Sequence, residues 1–581
     1  MISVLADWIV IIYFALITGV SLWKIVGLKK EEVTSNIETV MLLGLMILTA
    51  YAEYFSLFYK VGAVALGLLF VISIILIIWC KNELIYIFKS LKTLKWYYYA
   101  LMLVIALICI ALASKTPGHY DTYLYHAQSV RWIEEYGVVK GLGNLHNRLA
   151  YNSAIFSLDA FFSFKFLIDQ SMHAVDGLFT CIYLFYAVRS IKIFKDKKIY
   201  ISDVLRIGMI AYLISSETRG FISSLSSDIP ALGLLLFIFI RWMDLNEKEE
   251  KSEDKNKDLM PYGILCILGV YAMSIKLSVA MCILLSIPVG VMLIKRKYIK
   301  GFMFCLLSGI LVILPFLLRN IIISGYLIYP YSGIDLFNFD WKMPASVLDY
   351  DRHEILSWGR GIKDVYQFDK PITEWFPGWF ENLNLFLEIC LILNPFALII
   401  ATVKGIRELK QKKWGFITFI IVSFLCLVFW FTGSPDSRYG GVYMSILPLV
   451  AIGVVLKWIF GAIKINKKAV KAGIYTLMTA FCIYIGLATF ILTKEAMTGE
   501  KIGLKRCNDY IKLSCYEVTL DNQIIYIPIQ GDQGGYYYFP ETTGEQILKV
   551  IELRGDNLKE GFRVKEEYRD KKLNSYGFID E

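Results

Sequence analysis

Residues 120–153 read YDTYLYHAQSVRWIEEYGVVKGLGNLHNRLAYNS, a dense polar and aromatic segment lodged between long apolar runs. It carries Asp121, His126, Arg131, Glu134, Glu135, His146 and Arg148, and His119 stands just ahead of it. Asp121 occupies the place of a helix N-cap and Tyr136–Gly137 that of a helix stop. A helix over 122–136 is therefore expected, lying on a membrane surface with its Tyr, Trp and Leu side chains at headgroup level. Glu134 and Glu135 read as its solvated face. The turn GLGNLHN follows, and 149–164 reads as a second interfacial or re-entrant helix. A polar insert held at one membrane face is where chemistry is expected.

The remainder of the chain supplies the membrane. Of 581 residues, 57% are hydrophobic and only 19% charged, and the mean hydropathy is +0.55; this excludes an ordinary soluble globular protein. Apolar runs of the ~20 residues that cross a hydrocarbon core as helix recur along the sequence. They centre near Phe14, Leu48, Ile72, Val104, Tyr183, Met209, Leu235, Gly269, Leu284, Ser308, Leu393, Val422, Val450 and Tyr484. The expected fold is an all-α polytopic membrane protein of about 14 transmembrane helices, with interfacial helices in the first large outer loop and a small α+β tail.

Sidedness follows from the basic connections. Those holding Lys29 and Lys30, Lys89 to Lys95, Lys192 to Lys198, Lys248 to Lys257, Lys295 to Lys300, Lys404 to Lys413 and Lys464 to Lys471 come after every second run and belong in the cytoplasm. Alternation then places both termini outside a cell membrane, together with the Asp121 insert, the turn 216–228, the loop 319–382, the turn 433–441 and the tail beyond Thr493. All five histidines, His119, His126, His146, His173 and His353, fall at the same face. The net charge of +9 is explained by the positive-inside excess and anionic lipid, without nucleic acid.

Three zones result: residues 1–96 as an accessory transmembrane unit, 97–493 as the core with the large outer loops, and 494–581 as an extracytoplasmic tail. In the tail QIIYIPI reads as a buried strand, GDQGG as a turn and EQILKVIEL as helix or strand. The first apolar run lacks a basic n-region and a small-residue cleavage site, so it reads as a retained span. Cys507 and Cys515 leave a disulfide and two free thiols equally open, and the other cysteines read as apolar filler.

An aspartate at the outer end of a span, surface helices after it and a second aspartate after a later span resemble the GT-C superfamily of membrane glycosyltransferases. YDTYLYHAQSVRW looks like that family's acidic first-loop motif. SSLSSDIPALGLLLFIFIRW is similar to the acidic residue, Pro and long apolar span of the mannosyl- and aminoarabinosyl-transferase branch, and SPDSRYGG resembles its late outer turn. The likeness covers roughly residues 97–445. Two departures stand out: Asp121 is a lone acid where the family has a pair, and three extra spans precede the core. The resemblance implies transfer of a sugar from a polyprenyl-phosphate donor to a glycan, lipid or protein hydroxyl.

That chemistry needs a base for the acceptor proton, for which a carboxylate raised by burial is suited, and cations for the departing phosphate. Asp121 and Asp228 are the candidate catalytic acids. Arg438, Arg148, Arg219 and Lys276 are the candidate phosphate ligands, and Tyr125, His126, Arg131, His146 and Asn152 the candidate substrate contacts. Simpler roles are open for several: Asp121 as a cap, Asp228 as an N-cap before Pro230, and Trp358, Trp375 and Trp379 as an aromatic belt rather than sugar platforms. No cofactor is assigned; a divalent ion, held by Asp121 and Asp228, stays open. The alternatives to a transferase are a transporter or flippase for lipid-linked sugar, which should show ionisable groups at mid-membrane, and an O-antigen-type polymerase or ligase using arginines of the loop 319–382.

Overall fold

The computed structural model describes residues 1–29, 33–92, 95–188, 199–215, 220–249, 259–462 and 502–579, with single positions between 487 and 498. Among them eight helical segments are long and apolar enough to cross a membrane, or nine with one bent pair. They include α1 (Ile2–Ile25), α2 (Ile37–Ser56) and the bent pair α3 (Ala63–Trp79) and α4 (Lys81–Leu91), which meet at 79°. α5 (Trp96–Ala113) leads into the polar insert. Its interior helices are α6 (Ala127–Glu135) and α7 (Ala154–Phe161).

Three expected spans are short: α8 (Val175–Ala187) has 13 residues, α9 (Ile201–Leu213) 13, and α11 (Met260–Ile275) 16. Between them runs α10 (Asp228–Glu249), whose residues from Ile229 to Ile240 are buried on every side. A helix apolar all round must be surrounded, and the apolar run of α10 is surrounded by protein. The run near Leu284 winds as a 310 segment, Leu277–Leu285, into α12 (Ser286–Lys295). α13 (Ile299–Ser324), α14 (Ala345–Gly359), α15 (Ile372–Glu381), α16 (Leu385–Lys410), α17 (Gly415–Thr432) and α18 (Ser437–Ala462) complete the helical part. The run near Tyr484 lies outside the described residues, and among the described residues the spans number eight or nine.

Residues 1–96 are built into the rest. α1 and α2 approach backbone to backbone because Gly19 and Gly44 lack side chains: a Cβ on Gly44 would lie 1.8 Å from the Ala15 carbonyl oxygen. Trp8 donates to the Ala174 carbonyl at 2.9 Å, and Thr49 bonds Tyr271 at 2.8 Å. At one end of α10, Arg206 joins Asp203 and Asp244, and Tyr186 donates to Asp244 at 2.8 Å. Asp228 marks the other end, about 24 Å away at 1.5 Å per residue.

The tail contains two antiparallel hairpins, β1 (Cys515–Leu520) with β2 (Gln523–Pro528), and β3 (Ile551–Leu553) with β4 (Phe562–Val564). Asp521 and Asn522 both take positive φ, as a two-residue hairpin turn demands. EQILKVIEL splits into a short helix, Glu545–Val550, followed by β3. Cys507 and Cys515 are free thiols.

The tail changes the environment of the insert. α6 does not lie open on a membrane surface: Gln128 donates to the Gly535 and Tyr538 carbonyls, both at 2.7 Å, and Arg131 to those of Tyr536 and Tyr537 at 2.6 and 2.8 Å. Trp132 is 1% exposed as a result. Glu134 is likewise buried, accepting from Tyr536 at 2.6 Å and Ser171 at 2.8 Å. The second expected helix shortens to α7, eight residues buried throughout.

Candidate functional site

Between the insert, α11, α13, α14, α17 and α18 lies a cavity of about 610 Å³, lined by more apolar than polar surface. Asp121, Lys276 and Arg438 on its wall are each placed by a local break in regular structure. α5 ends at Ala113, and Asp121 stands at the entry to a wider π-type turn, Thr122–His126. Its carboxylate makes no capping bond and instead accepts from Arg438. Lys276 is extended (φ −152°, ψ 124°) between α11 and the 310 segment, which turns its ammonium onto Asp228. Arg438 sits in the first turn of α18, ahead of a kink at Gly440. A Cβ there would lie 2.4 Å from the Trp430 ring, so the close approach requires glycine.

Arg438 is shared: one arm reaches Asp121, and its Nε donates to Asp228 at 3.1 Å. His119 Nε2 stands 3.7 Å from the same Asp228 oxygen, and the His119 and His126 rings stack at 5.5 Å. Two carboxylates and two cations thus form one cluster, with Asp121 on the cavity wall and Asp228, 1% exposed, behind Arg438 and Lys276.

Electrostatics correct one expectation. Burial alone would raise the Asp121 carboxyl, but the Arg438 guanidinium, with His126 and His119, holds it below the usual carboxylate range. Burial pushes His119 down to about 4, with Arg438 adding to the effect, and pushes His126 and His146 to about 3. These imidazoles are neutral near pH 7, so the positive charge of the site comes from arginine and lysine.

Of the other expected contacts, Tyr125, Arg148 and Asn152 line the cavity. Arg148 is held by Asp351 at 3.0 Å and Glu354 at 2.9 Å. His126 is buried behind the wall beside the Leu225 carbonyl, and His146 Nδ1 accepts from the Arg148 backbone at 3.1 Å. Arg131 is removed from the cavity by its bonds to the tail, and Arg219 lies outside the described residues. Trp358 lines the cavity, whereas Trp375 and Trp379 are buried in an aromatic cluster with Phe431. Among the described residues no three His, Cys, Asp or Glu side chains gather as a metal site. Asp121 and Asp228 are engaged by cations, so this pair does not fit a divalent ion.

Sequence reading missed Arg352 and Arg360, which enter the cavity from α14 and its end. The signal was present in DYDRHEILSWGR: Asp351 and Glu354 fall on one helix stripe, and Arg352, Leu356 and Arg360 on another. The chain matches no curated protein and no solved structure. A family model described as a domain of unknown function, DUF8201, matches residues 1–445, well over half of the sequence, and the chain belongs to that family.

Proposed function

We propose that the protein is a GT-C-type glycosyltransferase that moves a sugar from a polyprenyl-phosphate donor to an acceptor hydroxyl at the extracytoplasmic face of the cell membrane. The observation that carries this reading is the shared Arg438: an ionised, buried Asp121 stands on the wall of an amphipathic cavity, paired to a cation that a phosphate can recruit.

In this mechanism the donor phosphate draws Arg438 toward itself. Asp121 then loses the partner that keeps its pKa low, and burial makes it a stronger base. The acceptor O–H gives its proton to Asp121 while its oxygen bonds the anomeric carbon. The bond from that carbon to the phosphate oxygen breaks, and the lipid phosphate leaves with the electron pair, stabilised by cations. In-line attack inverts the anomeric carbon. Asp228, held by Lys276 and Arg438, orients the guanidinium and takes no proton. The test is transfer from a labelled polyprenyl-phosphate sugar by the purified Asp121→Asn variant; wild-type turnover would remove Asp121 from the chemistry.

A transporter of lipid-linked sugar is the second reading. Asp7 and Asp176 have both carboxylate oxygens buried without a hydrogen-bond partner, as groups that carry protons do. Both stand near the helix ends beside the site rather than at mid-membrane, in the second turn of α1 and the first of α8, which favours the enzyme. The polymerase or ligase reading shares the donor chemistry, and the loop 319–382 does supply cavity-lining arginines.

A further inference from the structure

The charges around the cavity do not all cancel. Asp121 and Asp228 are matched by Arg438 and Lys276, and Arg148 lies between Asp351 and Glu354. Arg352 and Arg360 line the same cavity, and among the described residues neither has a carboxylate partner. Arg360 is fixed over the Trp375 ring, 5.5 Å from its centroid, and donates to the Phe368 and Thr432 carbonyls. Its Nε is buried with no acceptor at all. Burial lowers its pKa, and no neighbouring anion offsets this.

The two arginines are eight residues apart, about 12 Å along a helix. They share a face with Ile355 and Leu356, which also line the cavity. The opposite stripe of α14 is acidic and turned to Arg148. The helix therefore separates its charges, presenting only cations to this part of the cavity. Trp358, 46% exposed, carries the Arg148 guanidinium over its ring, 4.8 Å from the centroid.

We propose that Arg352 and Arg360 form an oxyanion site, separate from the Asp121 cluster, that takes a phosphate-bearing ligand. Two guanidiniums together carry more N–H donors than the two oxygens of a carboxylate can accept, and phosphate matches fork geometry in several directions. Phe316, Leu356 and Phe429 line the same cavity and offer apolar surface beside the two guanidiniums. The phosphate can be lipid-borne or soluble. The site does not depend on sugar transfer and is tested by binding alone.

The experiment measures equilibrium binding of farnesyl phosphate, farnesol and inorganic pyrophosphate to the detergent-purified full chain. Farnesyl phosphate or pyrophosphate should bind wild type, and the R352Q/R360Q variant should bind it roughly tenfold or more weakly, the scale of a lost charged hydrogen bond. R352K/R360K should recover part of the loss, since lysine keeps charge without the fork. K363Q, an exposed neighbour off the cavity wall, should bind as wild type. R352Q alone guards against misfolding, because Arg352 is exposed, and it should also weaken binding. Preference for farnesyl phosphate over pyrophosphate assigns a lipid source, and the reverse a soluble one. Unchanged affinity in R352Q/R360Q, or farnesol binding as tightly as farnesyl phosphate with no binding of pyrophosphate, overturns the site.

Discussion

Arg438 donates to the carboxylate of Asp121, 317 residues earlier in the chain, and the pair closes one wall of the cavity. Both side chains are largely buried, at 24% and 16% exposure. The pairing joins the polar insert to α18, and in the proposed mechanism it sets the protonation state of the base.

Asp121→Asn is expected to lower sugar transfer by ~10²–10⁴-fold, the usual contribution of a general base. Size and neighbours are nearly conserved, so expression and donor binding should stay close to wild type. Single-turnover transfer and donor binding, measured on the same preparation, separate the two effects.

Arg438→Ala should move the acid limb of the kcat/KM profile, which reports the free enzyme, upward. Asp121 is ionised at lower pH than a free carboxylate because of Arg438. The stability it contributes is present above its unfolded pKa and is lost as pH falls through the folded value. Removing the guanidinium leaves burial as the dominant influence, so the limb should rise past the ordinary carboxylate range. An acid limb that stays put in the variant would show that Arg438 does not control this group.

Glu354→Gln should flatten the pH dependence of stability between about pH 4.5 and 7. Burial pushes Glu354 up to about 7, with Arg148 only partly opposing it, and Tyr576 of the tail donates to it at 3.0 Å. A raised acid gives its full stability below the unfolded value and loses it as pH rises through the folded one. Thermal unfolding of wild type and variant across that range is the measurement.

Gln128→Ala should loosen the tail from α6, because it deletes both 2.7 Å bonds to the Gly535 and Tyr538 carbonyls. Limited proteolysis near residues 530–540 should accelerate while the helical part stays intact. Truncation after Thr493 should leave the spans inserted but impair transfer, since Tyr576 reaches Glu354 and through it Arg148. Full activity of the truncated chain would confine the tail to a packing role.

Sidedness can be read with single cysteines at exposed positions. Leu336, 64% exposed, and the exposed Gly378 should label with an impermeant thiol reagent in intact cells, and the exposed Gln411 should not. The opposite pattern would invert the proposed topology.

The sequence by itself determined what depends on composition and short-range order. Runs of apolar residues long enough to cross a bilayer specify helices, and eight of them stand as such. The strand QIIYIP follows from its short apolar run, whereas the positive-φ turn at Asp521–Asn522 that pairs it with β1 emerges only in the structure. Asp121, Arg438 and Lys276 could be picked out because a charge beside an apolar run is costly without a purpose. Tertiary structure alone decided the partners of those charges. Whether Asp121 is raised or lowered depends on a guanidinium that only folding brings near, and hydropathy could not tell lipid from protein around α8 and α10. The tail's cover over α6 and the unmatched pair Arg352 and Arg360 were also beyond local reading. Coulomb interactions act through space over a few ångströms, and the chain brings those groups together from positions hundreds of residues apart.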